Sequence, residues 1–249
     1  MTIANYSKFH QFKKLIQSLP SVSESSIVSE QFLLEKDEKK RLEIYYAPFE
    51  YINERAKVVI VGITPGLNQM EQSYWTVFNA KNKDEDAELI LSHVKNDSSF
   101  EGPMRKNLVS MLDELGLHQY LGLSSTIELF NTASNLVHTT SVITYPVFHQ
   151  GKNYGGTTPN LLKTHILKKY VTEQLATELE QMDRPLVIPL GVKVEKAINY
   201  LVDQKILDPN LILNGFPHPS GQNGWRKRHF KVAKEKMLEK LRAHFQSNN

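Results

Sequence analysis

Val58-Val59-Ile60-Val61-Gly62-Ile63-Thr64-Pro65-Gly66 is the stretch from which the fold can be read. Four successive apolar, β-branched residues suit a parallel strand buried on both faces. Gly62 and Gly66 allow close backbone approach and unusual φ, and Pro65 fixes φ, so the strand runs straight into a stiff turn. In open α/β sheets, ligands sit beyond the carboxyl ends of the strands, so a pocket is expected at this turn.

Working outward, Pro185-Leu186-Val187-Ile188-Pro189-Leu190-Gly191 repeats the strand-then-turn form, and Leu211-Ile212-Leu213 reads as a short last strand. Ile127-Glu128-Leu129-Phe130-Asn131-Thr132 reads as a further strand, leading into Ala133-Ser134-Asn135-Leu136-Val137-His138. Helical rhythm appears at Phe9, Phe12, Leu15, Ile16 and Leu19, and Pro20 stops it. It returns over 104–115, ended by Gly116, and over about 160–182, 192–203 and 226–246. Residues 21–29 form a serine-rich linker, and 30–46 read as a charged helix. Strands alternating with helices predict an α/β fold: a three-layer α/β/α sandwich with a central, mostly parallel four-stranded sheet. The expected organisation is an N-terminal helical extension over residues 1–50 and one domain over 51–249. The segment 67–99 and the His-, Tyr- and Gly-rich loop 139–159 have no role assigned from sequence.

Composition narrows the function classes. At 249 residues, 40% apolar and 23% charged, the chain suits one globular core. No run of about 18 apolar residues is present, so no membrane span is expected. Met1 to Lys8 lacks the apolar core of a secretory signal. The absence of cysteine excludes disulfides and thiolate-held metals, and fits a cytoplasmic location. Charge is uneven: from Trp225 to Asn249 there are eight Lys/Arg against two Asp/Glu, a local +6, while the rest carries 22 against 25. A basic tail on a slightly acidic body suits a polyanion-facing surface, although a solvated helix face gives the same pattern.

The second informative stretch is Phe216-Pro217-His218-Pro219-Ser220-Gly221, followed by Trp225-Arg226-Lys227-Arg228-His229. With Gly62-Ile63-Thr64-Pro65-Gly66, Phe100-Glu101-Gly102-Pro103-Met104-Arg105, Ser134-Asn135-Leu136-Val137-His138 and Leu186–Gly191, it makes five segments in a characteristic order. Together they resemble the uracil-DNA glycosylase superfamily over about residues 56–240, with loops nearest its single-strand-selective and mismatch-specific branches. The resemblance implies excision of uracil or a related damaged base from DNA. His218 is then the electrophile, with Thr64 and Asn68 handling water. Phe100 stacks on the flipped base, Asn135 reads its edge, and Ile63 and Gly66 line it. Ser220, Gly221, Trp225, Arg226, Lys227 and Arg228 face the DNA. No metal or organic cofactor is implied. The implied partners are single- or double-stranded DNA and the released nucleobase, bound by a monomer.

The residue types fit that chemistry. A base must leave the stack before its glycosidic bond can be reached. An amide can meet a pyrimidine edge with a donor and an acceptor. The first motif departs from the family, which places Asn or Asp before the Pro, or Glu one place earlier. Here those places hold Thr64 and Ile63. Ile63 does no acid–base chemistry, and a Thr hydroxyl orients water without deprotonating it. Two rivals stay open: a base-binding member of the same superfamily with impaired catalysis, and an α/β enzyme acting on free nucleosides. Phe100 also reads as a core residue, Asn135 as a loop residue satisfying backbone, and Trp225 as helix-end packing.

Overall fold

The computed structural model describes residues 6–81 and 85–246; residues 1–5, 82–84 and 247–249 of the two expected domain ranges lie outside them. In chain order the regular elements are α1 (Ser7–Gln17), α2 (Glu24–Ile27), β1 (Leu33–Asp37), β2 (Leu42–Tyr45), β3 (Val58–Gly62), α3 (Leu67–Asn79), α4 (Ala87–Ser98), α5 (Pro103–Glu114) and α6 (Leu117–Tyr120). There follow β4 (Val137–Ser141), β5 (Val147–His149), β6 (Lys152–Asn153), α7 (His165–Lys169), a π-helical stretch Tyr170–Leu175, α8 (Ala176–Glu180), β7 (Leu186–Pro189), α9 (Val192–Asp203) and α10 (Arg226–Gln246).

The chain divides into two compact units, each drawn from three segments of the chain. One unit comprises Met1–Ile52, Thr64–Ser99 and Ile143–Lys168; the other comprises Asn53–Ile63, Phe100–Val142 and Lys169–Asn249. The expected helical extension is therefore one of three segments of a larger unit, and it is not all helical. Residues 33–45 form a β-hairpin within an antiparallel sheet of order β1-β2-β5-β6. The charged run that suggested a helix is the turn: Asp37 Oδ1 accepts the Lys40 N–H at 3.0 Å, and Arg41 adopts φ 52°. On β2, Leu42 and Ile44 are buried while Glu43 between them is half-buried, the period of a strand. In the same unit Phe12 stacks on Tyr46 at 4.1 Å between ring centroids, and Phe32 meets Tyr74 edge-on at 5.0 Å.

The second unit is built on a parallel sheet of order β4-β3-β7. Val58 pairs with Val137 on one side and Leu186 on the other, and Gly62 pairs with Ser141. The fourth strand expected at 211–213 is reduced to one bridge, Val187 to Ile212, extended by the Leu213 N–H donating to the Val187 carbonyl. One sheet face, with Val58, Ile60, Val137, Leu186 and Ile188, packs on Leu108, Met111 and Leu112 of α5 and on Phe230, Met237 and Leu241 of α10. On the opposite face buried His138 bonds Glu178 of α8, and α9 packs against β7. Helices on both faces of a parallel sheet make an α/β fold.

Candidate active site

The His218 loop leaves the last strand through Gly215, which takes φ 85° and is held by Glu195 Oε2 accepting its N–H at 2.8 Å. It then lies against the turn after β7. Gly191 adopts φ 91°, and a Cβ there would stand 3.0 Å from His218 Cβ and 3.3 Å from His218 N. Only glycine lets these two turns close on each other. The Gly191 N–H also donates to the Phe216 carbonyl at 2.9 Å.

This packing defines the state of the imidazole. His218 Nδ1 accepts the Ser220 N–H at 3.2 Å, so the ring proton sits on Nε2. His218 is half-buried, and burial, then the charge of Lys193, hold its pKa below the usual 6.5. Nε2 bonds no described residue. The loop thus presents a neutral imidazole with an unengaged N–H donor beyond the carboxyl ends of the strands.

Arg226, expected from the sequence to face DNA, is hydrogen-bonded within the His218 loop. Its Nη1 donates to the carbonyls of Ser220 at 2.6 Å and Pro219 at 3.3 Å, and its Nη2 to Asn107 Oδ1 at 3.1 Å. Asn107 Nδ2 closes the clamp on the Pro219 carbonyl at 2.9 Å. The guanidinium is taken up in fixing the loop. Replacing Arg226 by Ala is expected to lower stability by about 2 kcal/mol, the worth of charge-assisted hydrogen bonds. Replacing exposed Lys227 by Ala should leave stability alone and, on the DNA-facing role that the resemblance implies, reduce the salt slope of binding to an oligonucleotide by about 1. Denaturant unfolding and binding titrations over salt check both. Trp225 is 61% exposed and Arg228 lies 5.5 Å over its ring, so this pair projects from the start of α10.

Phe100 lies in the same unit as His218, beside Gly62. It is 7% exposed, belongs to the core cluster, and takes φ 53°, a conformation uncommon outside glycine. A Cβ on Gly62 would meet Phe100 Cε1 at 3.2 Å and Ser141 Oγ at 3.4 Å. Gly62 is therefore closely packed by an aromatic edge and a hydroxyl, which its lack of a side chain lets approach its backbone.

Asn135 is not there. The strand expected at 127–132 is a 3-10 helix, Thr126–Phe130, capped by Ser125 with Glu128 reaching back to the Ser125 N–H. The strand begins two residues after Asn135, which therefore lies at the amino end of β4, while Ser141 lies at the carboxyl end with Gly62. About 13 Å of strand separates Val137 from Ser141. Asn53 anchors the Asn135 end, its Nδ2 donating to the carbonyls of Asn135 and Val137, each at 2.9 Å. The Ser125-x-x-Glu128 capping signature was the sequence signal for the correct assignment; nothing local pointed to Ser141.

Ile63 closes the parallel-sheet unit, half-buried, and Thr64, Gly66 and Asn68 open the other. There the Thr64 hydroxyl donates to the Tyr145 carbonyl at 2.7 Å and accepts the Val147 N–H at 3.2 Å. Its proton is engaged in tying the turn to β5. Gly66 precedes α3, with its N–H on Gln69 Oε1 at 3.1 Å, and Asn153 Oδ1 accepts the Leu67 N–H at 3.0 Å. Asn68 is exposed in the first turn of α3. Ser220 Oγ accepts the Gln222 N–H at 3.2 Å, and Gly221 is exposed beside it.

The family model described as "Uracil DNA glycosylase superfamily" matches residues 49–242. A Bacillus subtilis (strain 168) protein described as "Uncharacterized protein YoxB" is 39% identical over 244 residues, covering 97% of this chain and 94% of that protein. No solved structure matches the chain.

Proposed function

We propose, since the chain belongs to the uracil-DNA glycosylase superfamily, that it hydrolyses the N-glycosidic bond of uracil or a related damaged base extruded from DNA. The observation that carries this reading is the neutral His218, its Nε2–H unengaged and its loop clamped by Gly191, Asn107 and Arg226. As the C1′–N bond breaks, its electron pair passes to the base and charge grows on a base carbonyl oxygen. A preorganised donor aimed at developing charge is often the largest catalytic contribution. Water oxygen then bonds C1′, and the water proton is lost to the released base or to solvent. Phe100 walls the base, while Lys227, Arg228 and Trp225 meet the DNA strand. Phosphate contacts set affinity and salt dependence rather than sequence preference.

One observation favours the rival reading of a base-binding member with weak or absent catalysis. Ile63 carries no acid–base group, and the proton of the Thr64 hydroxyl is engaged by Tyr145. Water attack then rests on the leaving group's own departure. The deciding experiment is an excision assay on single- and double-stranded oligonucleotides carrying uracil, hypoxanthine, xanthine or hydroxymethyluracil, with alkali revealing abasic sites. Strand breaks at the modified position are the expected result. Salt-sensitive DNA binding with every substrate intact supports the base-binding member, and cleavage of free nucleosides without DNA affinity supports the third reading.

A further inference from the structure

With Asn135 at the amino end of β4, the carboxyl end offers another polar group. Ser141 pairs with Gly62 there, and its Oγ and the edge of the Phe100 ring both lie close against Gly62. The residue is half-buried, and its hydroxyl bonds no described residue. Phe100 is held at φ 53° between the end of α4 and Gly102, itself at φ 73°. Sparsely populated backbone conformations persist where the surroundings over-determine them, and functional sites are where they gather. An unengaged hydroxyl and an aromatic edge thus converge on Gly62 at the carboxyl ends of the strands, where the rim of a planar heterocycle could meet both.

Resting on the glycosylase-type reading of this site, we propose that Ser141 is the residue that meets the edge of the flipped base, and that it makes the protein tolerant of more than one damaged base. A carboxamide presents a fixed donor beside a fixed acceptor, and so selects one edge pattern. A hydroxyl is one donor with two lone pairs and rotates to suit its partner. It serves a uracil carbonyl, a uracil imide N–H or the corresponding groups of hypoxanthine and xanthine. Selectivity then rests on shape and on the ease of extruding each base, which is least costly for mismatched or damaged ones.

The test compares wild type, Ser141→Ala and Ser141→Asn on single-stranded oligonucleotides carrying uracil, hypoxanthine or xanthine. Wild type is expected to excise more than one base. Ser141→Ala should lower kcat on each by about tenfold or more with KM for DNA unchanged, the loss expected when a buried substrate group loses its partner. Ser141→Asn should raise the uracil-to-hypoxanthine ratio by at least about tenfold, since a fixed donor–acceptor pair rejects the mismatched edge. An unaltered base profile in both variants overturns the proposal. If wild type excises nothing, the glycosylase reading fails, and Ser141 is then tested by affinity alone. The probes are oligonucleotides bearing 2′-fluorinated deoxyuridine or deoxyinosine, against matched thymidine controls. A preference over thymidine that collapses in Ser141→Ala sustains the proposal; no preference, or one indifferent to Ser141, overturns it.

Discussion

Replacing His218 by Ala is expected to slow base excision by about 100- to 1,000-fold, roughly 3–4 kcal/mol, the cost of deleting one preorganised donor to a developing oxyanion. DNA affinity should stay within about twofold, because phosphate contacts carry most of it. The structure gives the reasons. Ser220 donates to Nδ1, so the donor is Nε2–H, and burial with Lys193 nearby keeps the ring neutral through the physiological range. Protonation would turn Nδ1 into a donor facing the Ser220 N–H, so excision should be flat above pH 6.5 and fall on the acid side of that value. Single-turnover kinetics on a uracil oligonucleotide across pH measure both effects. A His218→Ala variant that excises normally would remove the imidazole from the mechanism. Gly191→Ala is a second probe of the same geometry. Its Cβ would press His218 Cβ at 3.0 Å from a φ of 91°, so it should displace the imidazole without removing it.

Glu50 is expected to make a large pH-dependent contribution to stability. Its Oε1 is sealed from solvent with no hydrogen-bond partner among the described residues, although the residue as a whole keeps partial exposure. Its Oε2 accepts the Tyr46 hydroxyl at 3.4 Å. Burial raises the carboxyl from 4.5 to about 7, outweighing its backbone hydrogen bond, Tyr46 and the charges of Lys95 and Lys8. Between those two values the folded chain holds a proton that the unfolded chain releases, so stability falls as pH rises through that window. The shift corresponds to a loss on the order of 3 kcal/mol above neutrality. Glu50→Gln has nothing to titrate. Relative to wild type it should therefore gain about that much between pH 4.5 and pH 8 in denaturant unfolding. A difference that stays constant with pH would mean that Glu50 titrates normally. The effect concerns the fold of the first unit, so it separates from any change in excision chemistry.

These expectations divide along the line between local and non-local information. The β3 run and its glycine turn, the helices over 103–114, 192–203 and 226–246, and the His218 loop are each encoded within a few neighbouring residues. Apolar period, caps and proline act at that range, so the sequence alone determined them, together with membership of the superfamily. The hairpin at 33–45 and the 3-10 helix at 126–130 were also locally encoded, by alternation at Leu42 and Ile44 and by the Ser125–Glu128 cap, against the opposite pull of a charged run and a β-branched start. Which end of β4 faces Gly62 was not local. It depends on register with β3: residues Ser134–Leu136 form a 3-10 turn, pairing starts at Val137, and so Asn135 stays at the far end while Ser141 meets Gly62. The same holds for Arg226, whose partners Asn107 and Pro219 are 119 and seven residues away, and for Glu50, whose titration depends on what seals it from water. Backbone conformation answers to neighbours in the chain; the use of a side chain answers to neighbours in space, and only the tertiary structure supplies those.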